Sequence, residues 1–204
     1  MIGRGIAGVA LGSGLTLSAA PAFPHEAAFH GPALLTGAIN YLSGVEYVLG
    51  AIALGLLAGQ HGRDAIALSV AALTIGLVTG AIASGYTVTA PYVDITNLCA
   101  AAGIGVLVAL RFPVGLTAVV GIGLLLGLAQ GYSNGLAIGI DSEEALFIAG
   151  IVGACLSILA IASALARAAR ASWQAIAVRA VGSWIAAIAL IVLALALSPR
   201  GSPY

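Results

Sequence analysis

The chain has 204 residues, 61% of them hydrophobic and only 7% charged, and its formal net charge is zero. A soluble domain carries about 25% charged residues, so a water-soluble fold of this size is excluded, because it could not hide so much apolar surface. All seven basic residues are arginine, and they form no basic tract, which argues against nucleic acid as a partner. A mean hydropathy of +1.15, 28 glycines and apolar runs that do not alternate point to an all-α, polytopic transmembrane bundle rather than a β-barrel.

At the amino end, Arg4, an apolar stretch to about Leu17 and Ala20-Pro21-Ala22 have the form of a secretory signal with an A-x-A cleavage site. Residues 1–22 are therefore expected to be a cleaved signal or, if retained, a short extra helix. Residues 23–204 are expected to form one six-span membrane domain. His25, Glu26 and His30 precede the first span. Two histidines with a nearby carboxylate could hold a metal weakly at the surface, although the spacing is not specific and fits solvated loop residues better.

A membrane helix needs about 20 mainly apolar residues, which predicts spans at 33–58, 65–84, 94–110, 114–132, 144–166 and 175–197. GQHGRD, RFP and RAARASWQ make short connections on one side; GYTVTAPYVD and GYSNGLAIGIDSEE make longer ones on the other. With the amino end cytoplasmic, Arg4, Arg63, Arg111, Arg167, Arg170 and Arg179 fall inside and only Arg200 outside, a positive-inside bias. The outer face then carries Glu26, Asp94, Asp141, Glu143 and Glu144. Asp141 or Ser142 is expected to cap the fifth span, with the two glutamates complementing its dipole. Gly123, Gly127 and Gly131 form a stripe in the fourth span, as do Gly55 and Gly59 in the first and Gly76 and Gly80 in the second. Such stripes predict close helix contact. Cys99 and Cys155 fall inside spans and are expected to be buried free thiols.

Glu46 lies within the run LLTGAINYLSGVEYVLG, residues 34–50. An ionisable group in mid-bilayer is costly unless paired, hydrated or neutral, which makes it a functional candidate. On a continuous helix its neighbours would be Leu42, Ser43, Leu49 and Gly50. None is a cation, so a partner must come from another helix. It could be a hydrogen-bonded neutral acid or part of a cation path. Asn40 and Tyr47, seven apart, would share a face with Gly44. With Gln130, Tyr132 and Asn134 they could build a polar seam. Amides and phenols are poor transition-metal ligands but good interhelical hydrogen-bonding groups. No HExxH, GxSxG or P-loop motif is present, and an enzyme is not expected.

The order of segments resembles the HupE/UreJ family of bacterial membrane proteins, which have six spans, often follow a cleaved signal and are associated with nickel supply to hydrogenase and urease. The family's first-span motif is close to HPLxGxDH; here it reads NYLSGVEY, residues 40–47. Leu42 and Gly44 are kept, Glu46 stands for the aspartate, and Asn40 and Tyr47 stand for the histidines. The second motif, close to HGHAHG, reads QGYSNG at 130–135. Gly131 and Gly135 are kept, while Gln130, Tyr132 and Asn134 replace the histidines. Asp94 matches a family acid before the third span. The resemblance implies a nickel or cobalt permease in a bacterial inner membrane. The lost imidazoles argue against nickel, but Glu46 and Asp94 could still meet a harder divalent cation or a proton. The expectation is a non-catalytic accessory subunit, partnered by the bilayer and by other membrane subunits; the alternative is a cation or proton transporter using Glu46.

Overall fold

The computed structural model describes residues 31–86, 92–138 and 143–198. The signal-like segment 1–22, the His25, Glu26 and His30 group, Asp141, Ser142 and Arg200 lie outside the described residues. Seven helices follow one another: α1 (Ala33–Ser43), α2 (Val45–His61), α3 (Arg63–Ser84), α4 (Val93–Leu110), α5 (Leu116–Gly135), α6 (Glu144–Ala168) and α7 (Ser172–Leu197). No strand occurs among the described residues, and the fold is the all-α membrane bundle that composition predicts. The five helices α3 to α7 are each long and apolar enough to cross a bilayer, and α1 with α2 makes a sixth candidate as a bent pair. The 22 residues of α3 rise about 33 Å at 1.5 Å per residue, enough for a hydrocarbon core of about 30 Å.

The expected first span is not one straight helix. It breaks at Gly44, and α1 and α2 meet at 82°. Sharp kinks favour Gly/Ser pairs, and here Ser43 precedes Gly44. The Ser43 hydroxyl donates to the Ile39 carbonyl at 2.8 Å, a back-bond that competes with helix continuation. Gly44 takes extended φ and ψ of −84° and 110°, and a Cβ there would run into the Tyr47 ring. Asn40, Gly44 and Tyr47 therefore do not share one helix face, and Leu42 and Ser43 are not helical neighbours of Glu46.

The turns differ from expectation in detail. Gly62 alone separates α2 from α3, with φ at 105°, a left-handed value that favours glycine. Arg111 ends α4 at φ 51°, ψ 43°. Its N–H donates to the Val108 carbonyl and the Phe112 N–H to the Leu107 carbonyl, both at 3.1 Å. This is a Schellman stop with arginine where glycine is usual. The cap position of α6 is held by Glu143, with no side-chain cap bond, rather than by Asp141 or Ser142. α7 begins at Ser172, so Trp173 and Gln174 belong to the helix and not to the connection.

The core centres on α2, where residues Leu49 to Gly59 are buried apart from half-exposed Ile52. A helix apolar on every side suits a position enclosed by others. Around it, glycine stripes bring backbones together. Gly123, Gly127 and Gly131 of α5 meet the backbone of α3 at Ser69, Leu73 and Leu77, and Gly76 and Gly80 answer from α3 at Leu124 and Leu128. The matching order makes α3 and α5 parallel. Gly55 and Gly59 of α2 meet Leu159 and Ser163 of α6 in the same parallel sense. Gly105 of α4 and Gly182 of α7 cross in antiparallel fashion. Large apolar side chains such as Ile75, Leu125, Ile161, Trp184 and Leu195 cover the outside, as lipid contact requires. Cys99 lies on this outer surface, contrary to expectation, whereas Cys155 is buried.

This topology sorts charge. Arg63, Arg111, Arg167, Arg170 and Arg179 gather at one end of the bundle with Asp64. Glu46, Asp94, Glu143 and Glu144 occupy the opposite end.

A Cβ at Gly127 would lie 2.5 Å from the Leu73 carbonyl oxygen, whereas one at Gly103 meets nothing within 4 Å. Gly127→Leu is expected to cost at least about 3 kcal/mol, since backbone cannot yield as a side chain can. Gly103→Ala should be neutral or gain up to about 1 kcal/mol from helix propensity. Equilibrium unfolding of the purified variants in mixed micelles checks both.

Candidate functional site

The break at Gly44 makes a corner, and the two helices it joins carry the motif residues into one place. Tyr41, at the end of α1, is fully buried. Its hydroxyl donates to Gln130 Oε1 at 2.7 Å, and Cys155 Sγ lies 2.9 Å from the same oxygen. Gln130, fully buried on α5, turns its other amide atom to the Tyr47 carbonyl, with Nε2 donating at 3.2 Å. The rings of Tyr41 and Tyr47 stack at 5.6 Å between centroids and 28° between planes. One phenol and one carboxamide thus tie α1, α2, α5 and α6 together.

Two further arms leave this hub. On one, Asn40 Nδ2 donates to Asn134 Oδ1 at 2.9 Å, and Asn134 Nδ2 donates to the Gln130 carbonyl at 2.8 Å. Gln130 and Asn134 are one turn apart and share a stripe of α5. On the other, the Tyr47 hydroxyl donates to Ser133 Oγ at 2.8 Å, and Ser133 Oγ donates to Asp94 Oδ1 at 2.6 Å. Asp94 is exposed in the first turn of α4, so this arm runs from a buried phenol to an accessible carboxylate. Asp94 reaches the Tyr47 hydroxyl through Ser133, and Glu46 precedes Tyr47 in the first turn of α2, so the two carboxylates lie at the same end of the bundle.

Glu46 itself is half-buried and sits in the first turn of α2. It is near the acidic end of the bundle, not at its mid-depth as a straight first span would place it. A carboxylate in the first helical turn is favoured by the unpaired N–H groups and the dipole there, which lowers the cost of keeping it in a membrane protein.

Of the expected seam of Asn40, Tyr47, Gln130, Tyr132 and Asn134, hydrogen bonds join Asn40 to Asn134 and Gln130 to the Tyr47 carbonyl. Tyr132 is half-buried and, by helical geometry, projects from the other side of α5 from Gln130 and Asn134. Gly131 serves helix contact, while Gly44 makes room for the Tyr47 ring. Three residues that sequence reasoning passed over, Tyr41, Ser133 and Asn97, take part or lie beside the network, and Cys155, expected only as a buried thiol, joins it at Tyr41. A buried tyrosine must find a partner for its hydroxyl, and Tyr41 inside NYLSGVEY carried that signal. Asn97 lies one turn from Asp94 on the same side of α4. It is fully buried, and neither of its amide atoms has a partner among the described residues. Such a group calls for an internal water or ion.

Among the described residues, no group of three or more histidine, cysteine, aspartate or glutamate side chains is placed to hold a metal ion. Glu46 and Asp94 supply two carboxylates, and apart from the Asn97 carboxamide the neighbouring amides and hydroxyls of Asn40, Tyr41, Tyr47, Gln130, Ser133 and Asn134 are engaged in hydrogen bonds.

Tyr41→Phe removes a hydroxyl and leaves Gln130 Oε1 buried without its donor, which is expected to cost about 1–3 kcal/mol. Asn40→Ala and Asn134→Ala, singly and together, should show a coupling of about 0.6 kcal/mol, the usual size for a hydrogen bond between membrane helices. Unfolding in mixed micelles reads both, and strict additivity of the asparagine variants would mean that their bond carries no stability.

The HupE / UreJ protein family model matches residues 13–192, which includes every helix of the site. Neither the curated proteins nor the solved structures compared with the chain yields a significant match. The match covers most of the chain, and the protein belongs to the HupE/UreJ family.

Proposed function

We propose that this HupE/UreJ family member is a non-catalytic accessory subunit of a membrane complex, in which the former metal-motif positions serve as an interhelical clamp. The observation that carries this reading is the reciprocal bonding of the substituted positions. Asn40 bonds Asn134, and Gln130 bonds the Tyr47 carbonyl. Imidazoles in these places would offer lone pairs to nickel or cobalt; amides and phenols bind such ions poorly. Nickel and cobalt therefore fit these residues badly as cargo. The arginine-bearing end is proposed to face the cytoplasm, following the positive-inside rule, with the site toward the opposite side.

A second reading has its own support. Glu46 adjoins Tyr47, whose hydroxyl reaches Asp94 through Ser133, and the Asn97 carboxamide, without a partner among the described residues, lies a turn from Asp94. Oxygen donors of this kind suit a hard cation or a proton. In that case the Tyr47–Ser133–Asp94 chain would be its entry arm.

Purification of the full chain from native membranes in mild detergent, with metal analysis and mass spectrometry, tests the first reading. The expected product holds far less than one nickel or cobalt ion per chain and retains stoichiometric partner subunits. A clean homo-oligomer carrying stoichiometric nickel would contradict it. For the second reading, Glu46→Gln should abolish cation-driven uptake in proteoliposomes, and an unchanged rate would remove it.

A further inference from the structure

The arginine-bearing end holds a cavity of about 380 Å³ whose lining includes Gln60, His61, Arg111, Arg167 and Arg170. These residues come from three separate places along the chain: the last turn of α2, the stop of α4, and the end of α6 with the residues just after it. Among the described residues no carboxylate lines it, and Asp64, an acidic residue at this end, stands outside the lining. None of the three arginine side chains is engaged in an ion pair or hydrogen bond among the described residues. Arg179, by contrast, spends its Nε on the Ala109 carbonyl at 2.8 Å.

Ordinary helix capping does not account for the arrangement. The ends of α2, α4 and α6 converge here, and each brings about half a negative elementary charge. Three guanidiniums bring a full positive charge each, so the cavity stays net positive. Arg111 also adopts the left-handed conformation, φ 51°, in a chain with 28 glycines that uses glycine freely elsewhere. A strained non-glycine residue at a cavity wall points to a use for its side chain. His61 directs Nδ1 to the Leu57 carbonyl at 2.8 Å, which fixes the ring and leaves Nε2 for another partner.

We propose that this cavity binds a phosphate-bearing anion through Arg111, Arg167 and Arg170. Arginine forks match phosphate oxygens in bidentate fashion. Basic pockets between membrane helices on the side that gathers arginine are suited to anionic headgroups. The volume is large enough for such a group together with its ester substituents. The phosphate belongs either to a lipid headgroup or to a soluble ion, and the two sources share this chemistry.

The test measures thermal unfolding of the full chain in neutral detergent. The probes are phosphatidylglycerol, phosphatidylcholine, and inorganic phosphate against chloride at matched ionic strength. Phosphatidylglycerol is expected to raise the unfolding temperature by several degrees while phosphatidylcholine does not. An added shift with inorganic phosphate assigns the site to phosphate at large; its absence assigns it to a lipid headgroup. The triple variant R111Q/R167Q/R170Q should lose the shift. Arg63→Gln, at the same end but outside the cavity lining, should keep it. Should the triple variant fail to fold, Arg170→Gln alone, at an exposed turn position, should still reduce the shift. The proposal is overturned if the wild-type chain responds to neither phosphatidylglycerol nor phosphate, if Arg63→Gln loses as much as the cavity variants, or if Arg170→Gln loses nothing.

Discussion

The break at Ser43–Gly44 is the constraint on which the rest of the site depends. On a straight helix, Asn40, Gly44 and Tyr47 would form one stripe and Tyr41 would point elsewhere. At an 82° corner, Tyr41 and Tyr47 stack on one another and Asn40 reaches α5. The corner in turn needs its partners. Gly44 keeps the space that the Tyr47 ring fills. The fully buried Tyr41 hydroxyl is held by Gln130 and Cys155. Removing the Tyr41 hydroxyl would leave Gln130 Oε1 without its donor in a medium that cannot solvate it.

The glycine stripes and the polar clamp answer the same physical problem. Lipid tails are as apolar as leucine, so burial alone gives membrane helices little reason to associate. Close backbone approach through Gly76, Gly80, Gly127 and Gly131 supplies dispersion contact between α3 and α5. Directional bonds from Asn40, Tyr41 and Tyr47 then fix α1 and α2 onto α5. Charge is left to the two ends, where carboxylates and arginines separate by sign.

The sequence made much of this legible. Five spans, the glycine contacts and the grouping of Asn40, Tyr47, Gln130 and Asn134 follow from hydropathy, spacing and motif order. What stayed hidden has physical reasons. The corner at Gly44 leaves no hydropathic trace, because both arms are apolar; only the Ser43–Gly44 pair hinted at it. The exposure of Cys99 could not be foreseen, since a lipid-facing surface reads like a core. Glu46 looked like a mid-bilayer acid only as long as the span was taken as continuous. Asn97, one amide among many small residues in α4, carried no motif. Its importance rests on the burial of both amide atoms without a partner.

Asn40, Gln130 and Asn134, three of the positions matched to the family's histidines, are held by hydrogen bonds, and the proposal that they do not hold nickel is open to direct test. Solid-state NMR of the chain in lipid bilayers, with labelled asparagine and glutamine side chains, addresses it directly. Nickel is paramagnetic and broadens nuclei near a bound ion. The account predicts a through-space contact between the Asn40 and Asn134 carboxamides that stays sharp when equimolar nickel is added. Selective broadening of Asn40, Gln130 and Asn134 by nickel would contradict it.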